Sequence, residues 1–119
     1  MISHRFAEAL HALGKDVTAL RYVLPEDASD VELLRKLQAD GSVLVTVDQR
    51  IRSRPHEREA LHATTAFFIA PFFLKQKFWA QAVWLIRYWP RLEEVAMAMA
   101  GGTCIFVQQN GKMQLLPPV

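Results

Sequence analysis

One cysteine in 119 residues, Cys104, rules out an internal disulfide, and its place in the apolar run Thr103 to Val107 points to a buried, inert thiol over a reactive one. Cross-links are therefore not what holds this chain together, and at this length a core can form without them or a structural metal. Long apolar runs are missing too. Ala66 to Leu74 and Phe78 to Ile86 both fall short of a bilayer span, and no charged-then-apolar leader opens the chain. The expectation is a cytoplasmic protein with no membrane partner. No repeat, low-complexity stretch or linker divides the sequence, so residues 1–119 are expected to form a single domain. An excess of charge is also lacking: 14 Lys and Arg against 12 Asp and Glu leave +2, which permits a nucleic-acid partner without arguing for one. What is plentiful is apolar residue, 51%, a share that excludes disorder.

Those apolar residues alternate between two periods. Ser3 can cap a helix that spaces Phe6, Ala7, Leu10 and Leu13 on one face and ends at Gly14. Asp16 to Tyr22 alternates loosely and predicts a short strand, followed by the loop Leu24 to Asp27. Ser29 caps a second helix, Asp30 to Asp40, with Val31, Leu34 and Leu37 on one side and Gly41 at its close. Ser42 to Val47 is the continuous β-branched and aliphatic run of a strand covered on both faces. Pro55 suits the first turn of a short helix ending near Leu61. Thr64 to Ala70 predicts another buried strand. A long helix is expected from Lys75 to Trp89, broken or kinked at Pro90, with a further helical segment over Arg91 to Ala100. Asn110-Gly111 between Thr103 to Gln109 and Lys112 to Leu116 signals an antiparallel hairpin. The pattern as a whole is α/β, a mostly parallel sheet with helices on both faces and an antiparallel C-terminal hairpin.

In such sheets the working groups gather at the carboxyl ends of the strands, where Asp48 follows Val43 to Val47. Capping a turn is the commoner use of Asp there. Asp30 adds weight to a ligand role, because the first turn of the helix feeding this strand can sit beside the strand's far neighbour in a right-handed crossover unit. Two hard oxygen donors suit Mg²⁺ or Mn²⁺, although Asp30 and Glu32 also simply favour a helix N-terminus. Arg50, Arg52, Arg54 and Arg58 outnumber Glu57 and Glu59 and could hold phosphates; a solvated face of Arg and Glu pairs is the alternative. His56 and His62 make no convincing zinc site without a nearby cysteine. Trp79, Trp84, Trp89 and Tyr88 could stack on bases, but their helical spacing favours core or dimer contact.

The stretches Asp27 to Leu34, Gly41 to Asp48 and Gln49 to Ile51 resemble PIN-like domains, especially the group related to VapC-type toxins of toxin–antitoxin pairs. Arg54 to Arg58, Ala70 to Phe73, and Phe78 to Ala82 with Trp89-Pro90 are similar to the downstream half of that group. The resemblance implies a three-layer PIN-like fold and a Mg²⁺- or Mn²⁺-dependent endoribonuclease in which a metal-activated water cuts RNA. Asp30 and Asp48 would be metal ligands and catalytic residues, Thr46 a hydroxyl supporting them, and Arg50, Arg52 and Arg54 contacts to RNA phosphate. An antitoxin protein and a second copy of the chain are the other expected partners. The family opens with a strand bearing an aspartate, whereas this chain starts at the following segment, Ile2 to Arg5; that strand and its aspartate are thus expected to be missing. The alternative reading is a catalytically inactive PIN-like module that binds RNA or a partner protein.

Overall fold

The computed structural model describes residues 2–19, 24–25, 27–52, 61, 64–99 and 101–117. Among them, four strands lie side by side in chain order: β1 (Leu44–Thr46), β2 (Ala66–Ile69), β3 (Cys104–Val107) and β4 (Met113–Leu115). β1 runs parallel to β2, with Leu44 opposite Ala66 and Thr46 opposite Phe68, and β2 runs parallel to β3 from Ala66 opposite Cys104 to Ile69 opposite Val107. β3 then folds back on β4, Val107 facing Met113. Helices α1 (His4–Ala12), α2 (Asp30–Asp40), α3 (Phe72–Lys75) and α4 (Phe78–Ala98), with the 3-10 helix Gln49–Arg52, complete the described elements.

Period-two alternation builds two cores from one sheet. Phe67, Ile69, Ile105 and Val107 point to one face, where they meet Phe6 of α1, Phe73 of α3 and Trp84, Leu85 and Leu92 of α4. Ala66, Phe68 and Cys104 point to the other, against Leu34 of α2, Ile51 and Leu61. The result is the expected three layers. Each fully buried Phe, Leu or Ile contributes about 1.5–3 kcal/mol relative to exposure, so β2, buried at every position, is the strand on which both layers depend. Local signals set the helix ends. The Ser3 and Ser29 hydroxyls accept the N–H groups of Arg5 and Glu32 at 3.2 and 3.1 Å. Gly41 closes α2 at φ +68°, which brings the Ser42 N–H to the Leu37 carbonyl at 2.9 Å.

Four expectations are modified. Residues 16–19 form no strand, because the Val17 N–H is used on the Lys15 carbonyl at 3.0 Å in a local turn; residues 20–22 of the expected strand lie outside the described residues. β1 is only half-buried, since it stands at the sheet edge among the described residues instead of between two neighbours. Pro90 does not end its helix. α4 runs through it for 21 residues, and the position is exposed, so water can take the Ile86 carbonyl that loses its donor there. The Asn110-Gly111 pair serves a three-residue loop: Gly111 donates to the Gln108 carbonyl and Gln108 to that of Lys112, both at 2.9 Å, with the left-handed residue at Gly111 alone. The short helix expected from Pro55 lies outside the described residues except for Leu61, which is buried.

The hairpin is pinned to α4. The Trp84 indole N–H donates to the Gln109 carbonyl at 2.9 Å, and the Tyr88 ring lies against Gly111, where an added Cβ would collide with it. Gly111, at φ +84°, is therefore doubly constrained. Gly111→Ala is expected to lower stability by about 1–3 kcal/mol, through strain at positive φ and overpacking, as a reduced urea midpoint with unchanged slope. An unshifted midpoint would show that the Tyr88 contact is loose.

Cys104 sits in the second core, and burial pushes its thiol above the ordinary value while the Arg52 guanidinium nearby pulls it partly back. The folded thiol thus holds its proton more firmly than the unfolded one. Its contribution to stability is present below the unfolded pKa and is lost as pH rises through the folded one. Iodoacetamide at neutral pH should label the native protein slowly and the urea-unfolded chain quickly; equal rates would contradict a buried thiol.

Candidate functional site

β1 and β2 are parallel, so their carboxyl ends open on the same side of the molecule, and the chain leaves β1 there through a tight turn. The Thr46 hydroxyl accepts the Asp48 N–H at 3.1 Å, and an Asp48 carboxylate oxygen, Oδ1, accepts the Arg50 N–H at 3.0 Å. These two side chain to backbone bonds lock the strand end into the start of the 3-10 helix Gln49–Arg52. Arg50 also reaches back with its side chain. Nε donates to Oδ1 at 2.9 Å and Nη2 to Oδ2 at 3.0 Å, a two-pronged pair. The Asp48 side chain is 31% exposed and that of Arg50 73%. A pair this open to water is worth a few tenths to about 1 kcal/mol, so Asp48 is held in place without being committed to Arg50.

The position of Asp30 follows from the backbone of α2. The last turn of α2, with Leu37 and Gln38, lines a shallow groove together with Gly41, Val43, Thr65 and Gly101, residues that precede β1, β2 and β3. That groove marks the amino ends of the strands. α2 is about 16 Å long at 1.5 Å per residue, and Leu34 packs in one cluster with Ile51, just beyond Asp48. The first turn of α2, opened by Asp30, is therefore carried to the carboxyl ends. By backbone placement Asp30 opens α2 toward the end of the sheet at which Asp48 follows β1.

The arginines part company. Arg50 faces Asp48, whereas Arg52 is half-buried and donates from Nη2 to the Pro117 carbonyl at 2.7 Å, fastening the C-terminal segment across the second core. Among the described residues its buried Nε has no hydrogen-bond partner. Arg54 lies outside the described residues, as do Arg58, His56 and His62. Among the described residues no three His, Cys, Asp or Glu side chains converge. Among the described residues this end of the sheet brings one carboxylate, Asp48, with both oxygens accepting from Arg50; Mg²⁺ and Mn²⁺ are ions that take one or two such hard-oxygen donors. The sequence reading missed the two-pronged ion pair, although an Asp after a strand with Arg two residues on is the pattern that could have disclosed it.

Comparison with known proteins adds one finding. A family profile described as a PIN like domain matches residues 1–73. The match takes in α1, α2, β1, Asp30, Thr46, Asp48 and β2, and stops before α4 and the hairpin. No curated protein and no solved structure gave a match. With 73 of its 119 residues matched and the sheet end built as described, the chain belongs to the PIN-like domain family.

Proposed function

We propose that the protein is a divalent-metal-dependent endoribonuclease of the PIN-like family. What supports this reading is the PIN-like family match together with Asp48 at the carboxyl end of the parallel β1–β2 pair, toward which α2 opens at Asp30. Asp30 and Asp48 would hold Mg²⁺ or Mn²⁺, which supplies an activated water for phosphodiester hydrolysis. The chain's own contribution is orientation. Thr46 and the Arg50 N–H aim the Asp48 carboxylate, and the Arg50 guanidinium, largely exposed, can exchange the carboxylate for a phosphate oxygen of RNA. Arg54, and Arg52 on release of Pro117, would extend the phosphate contacts. Toxin activity checked by an antitoxin protein is the finer form of the proposal, resting on the likeness to the VapC-related group.

One observation favours a second reading, a catalytically inactive module that binds RNA or a partner protein: both Asp48 carboxylate oxygens are engaged by Arg50. The two readings part on what Arg50 does to metal affinity. If Asp48 is a ligand, Arg50 competes with the cation, and Arg50→Ala should tighten Mn²⁺ binding up to about fivefold, the worth of an exposed pair. Asp48→Asn should abolish calorimetric Mn²⁺ binding and metal-dependent cleavage of RNA together. Full cleavage by Asp48→Asn removes Asp48 from the site. Salt-sensitive RNA binding without cleavage or Mn²⁺ uptake in the unaltered protein selects the inactive module.

A further inference from the structure

The chain leaves β2 at the same end of the sheet as Asp48 and, by way of α3, enters α4 there. In this stretch Trp79 is 78% exposed, whereas Trp84, five residues on, is 8% exposed and buried in the core. The difference is one of facing. Trp84 lies on the side of α4 that meets the sheet, and Trp79 on the side turned to solvent, next in the chain to exposed Phe78. Phe78 itself is backed by Phe6, ring centroids 4.7 Å apart and stacked, and the Arg5 guanidinium stands 5.7 Å from the centroid of the Phe78 ring.

Along the chain from Ala60 to Leu92 charge has one sign. Lys75 and Lys77 are exposed on either side of the α3–α4 junction, and no Asp or Glu occurs between Glu59 and Glu93. Of the twelve acidic residues in the chain, only Glu93 and Glu94 lie beyond residue 59. An apolar partner would have no use for the lysines. A second copy docking this patch on itself would set lysine against lysine. Exposed aromatic rings flanked in the chain by lysines are instead the arrangement that holds a single-stranded nucleic acid, base on ring and phosphate on cation.

We propose that the start of α4 is a stacking platform for single-stranded RNA, with Trp79 taking a base and Lys75 and Lys77 the neighbouring phosphates. The proposal rests on the reading that this protein acts on RNA, and it supplies contacts that Arg52, engaged with Pro117, does not. It also lies outside the matched part of the chain, residues 1–73. Its function would be to grip RNA beyond the point at which Asp48 meets it.

The test is fluorescence anisotropy of a short labelled oligouridylate in chelator, so that binding is read without cleavage. Trp79→Ala should weaken binding about five- to a hundredfold, the range of one lost base stack, and Trp79→Phe should retain most of the affinity. Changing Lys75 and Lys77 to Ala together should flatten the slope of log affinity against log salt by about 1.4, at 0.7 per phosphate contact. Affinity and slope unchanged in these variants would overturn the platform while leaving the RNA reading intact. An unaltered protein with no affinity for the oligouridylate at low salt would overturn both. Sedimentation of the same samples closes the remaining route: if Trp79→Ala turns a dimer into a monomer as affinity falls, Trp79 is a contact between copies and the platform is overturned.

Discussion

The burial of β2 on both faces is the constraint from which the rest of the molecule follows. Ala66, Phe67, Phe68 and Ile69 are all withdrawn from water, and alternation sends Phe67 and Ile69 to the α1 and α4 side and Ala66 and Phe68 to the α2 side. A strand apolar at every position can be stable only with a layer on each side. The crossover from β2 through α4 to β3, with β3 parallel, supplies one layer, and α2 supplies the other. Once both crossovers return to the same starting edge, the carboxyl ends of β1, β2 and β3 must open together. The candidate site is a consequence of this topology and required no separate design.

Much of this was legible in particular residues. Ser29 and Gly41 bracket α2 as capping chemistry demands, and the apolar runs of Val43 to Val47 and Ala66 to Ile69 disclosed parallel strands. The hairpin was legible in Asn110-Gly111, but not its loop type, because the packing of Tyr88 on Gly111 is a long-range fact. Pro90 misled for a related reason: its cost to a helix depends on whether the orphaned carbonyl reaches water, which only the exposed outer side of α4 decides. The half-burial of β1 was equally hidden, since an apolar run announces a strand and says nothing of how many neighbours it has. At the site, Asp48 and its sheet end followed from order and spacing. The guanidinium of Arg50 on Asp48 and the diversion of Arg52 to Pro117 are choices of side-chain direction, to which residue type is blind.

Those directions bear on how a carboxylate can be both fixed and exchangeable. Two of the contacts that hold Asp48 differ in kind. The bonds through Thr46 and the Arg50 N–H are part of the turn itself and persist as long as the backbone does. The guanidinium contact belongs to a long side chain largely in water and is cheap to exchange. Where the Arg50 guanidinium gives way, the carboxylate is still aimed by the turn. Preorganisation of this kind lowers the cost of binding because little conformational freedom remains to be lost.

The asymmetry of charge along the chain completes the physical picture. Acids concentrate in the first 59 residues, where Asp30 and Asp48 lie, while the stretch from Ala60 to Leu92 carries Lys75, Lys77, Arg87 and Arg91 with none. Because β1 and β2 open at one end, the fold sets the acidic residue Asp48 and the basic start of α4 on the same side of the sheet, although far apart in sequence. A polyanion approaching that side is repelled by the carboxylates alone and drawn by the lysines. On the proposed reading, a cation held by Asp30 and Asp48 would remove the repulsion, and affinity for a polyanion and occupancy by that ion would then be electrostatically coupled. Such a coupling would be reciprocal: whatever the metal did for the nucleic acid, the nucleic acid would do for the metal.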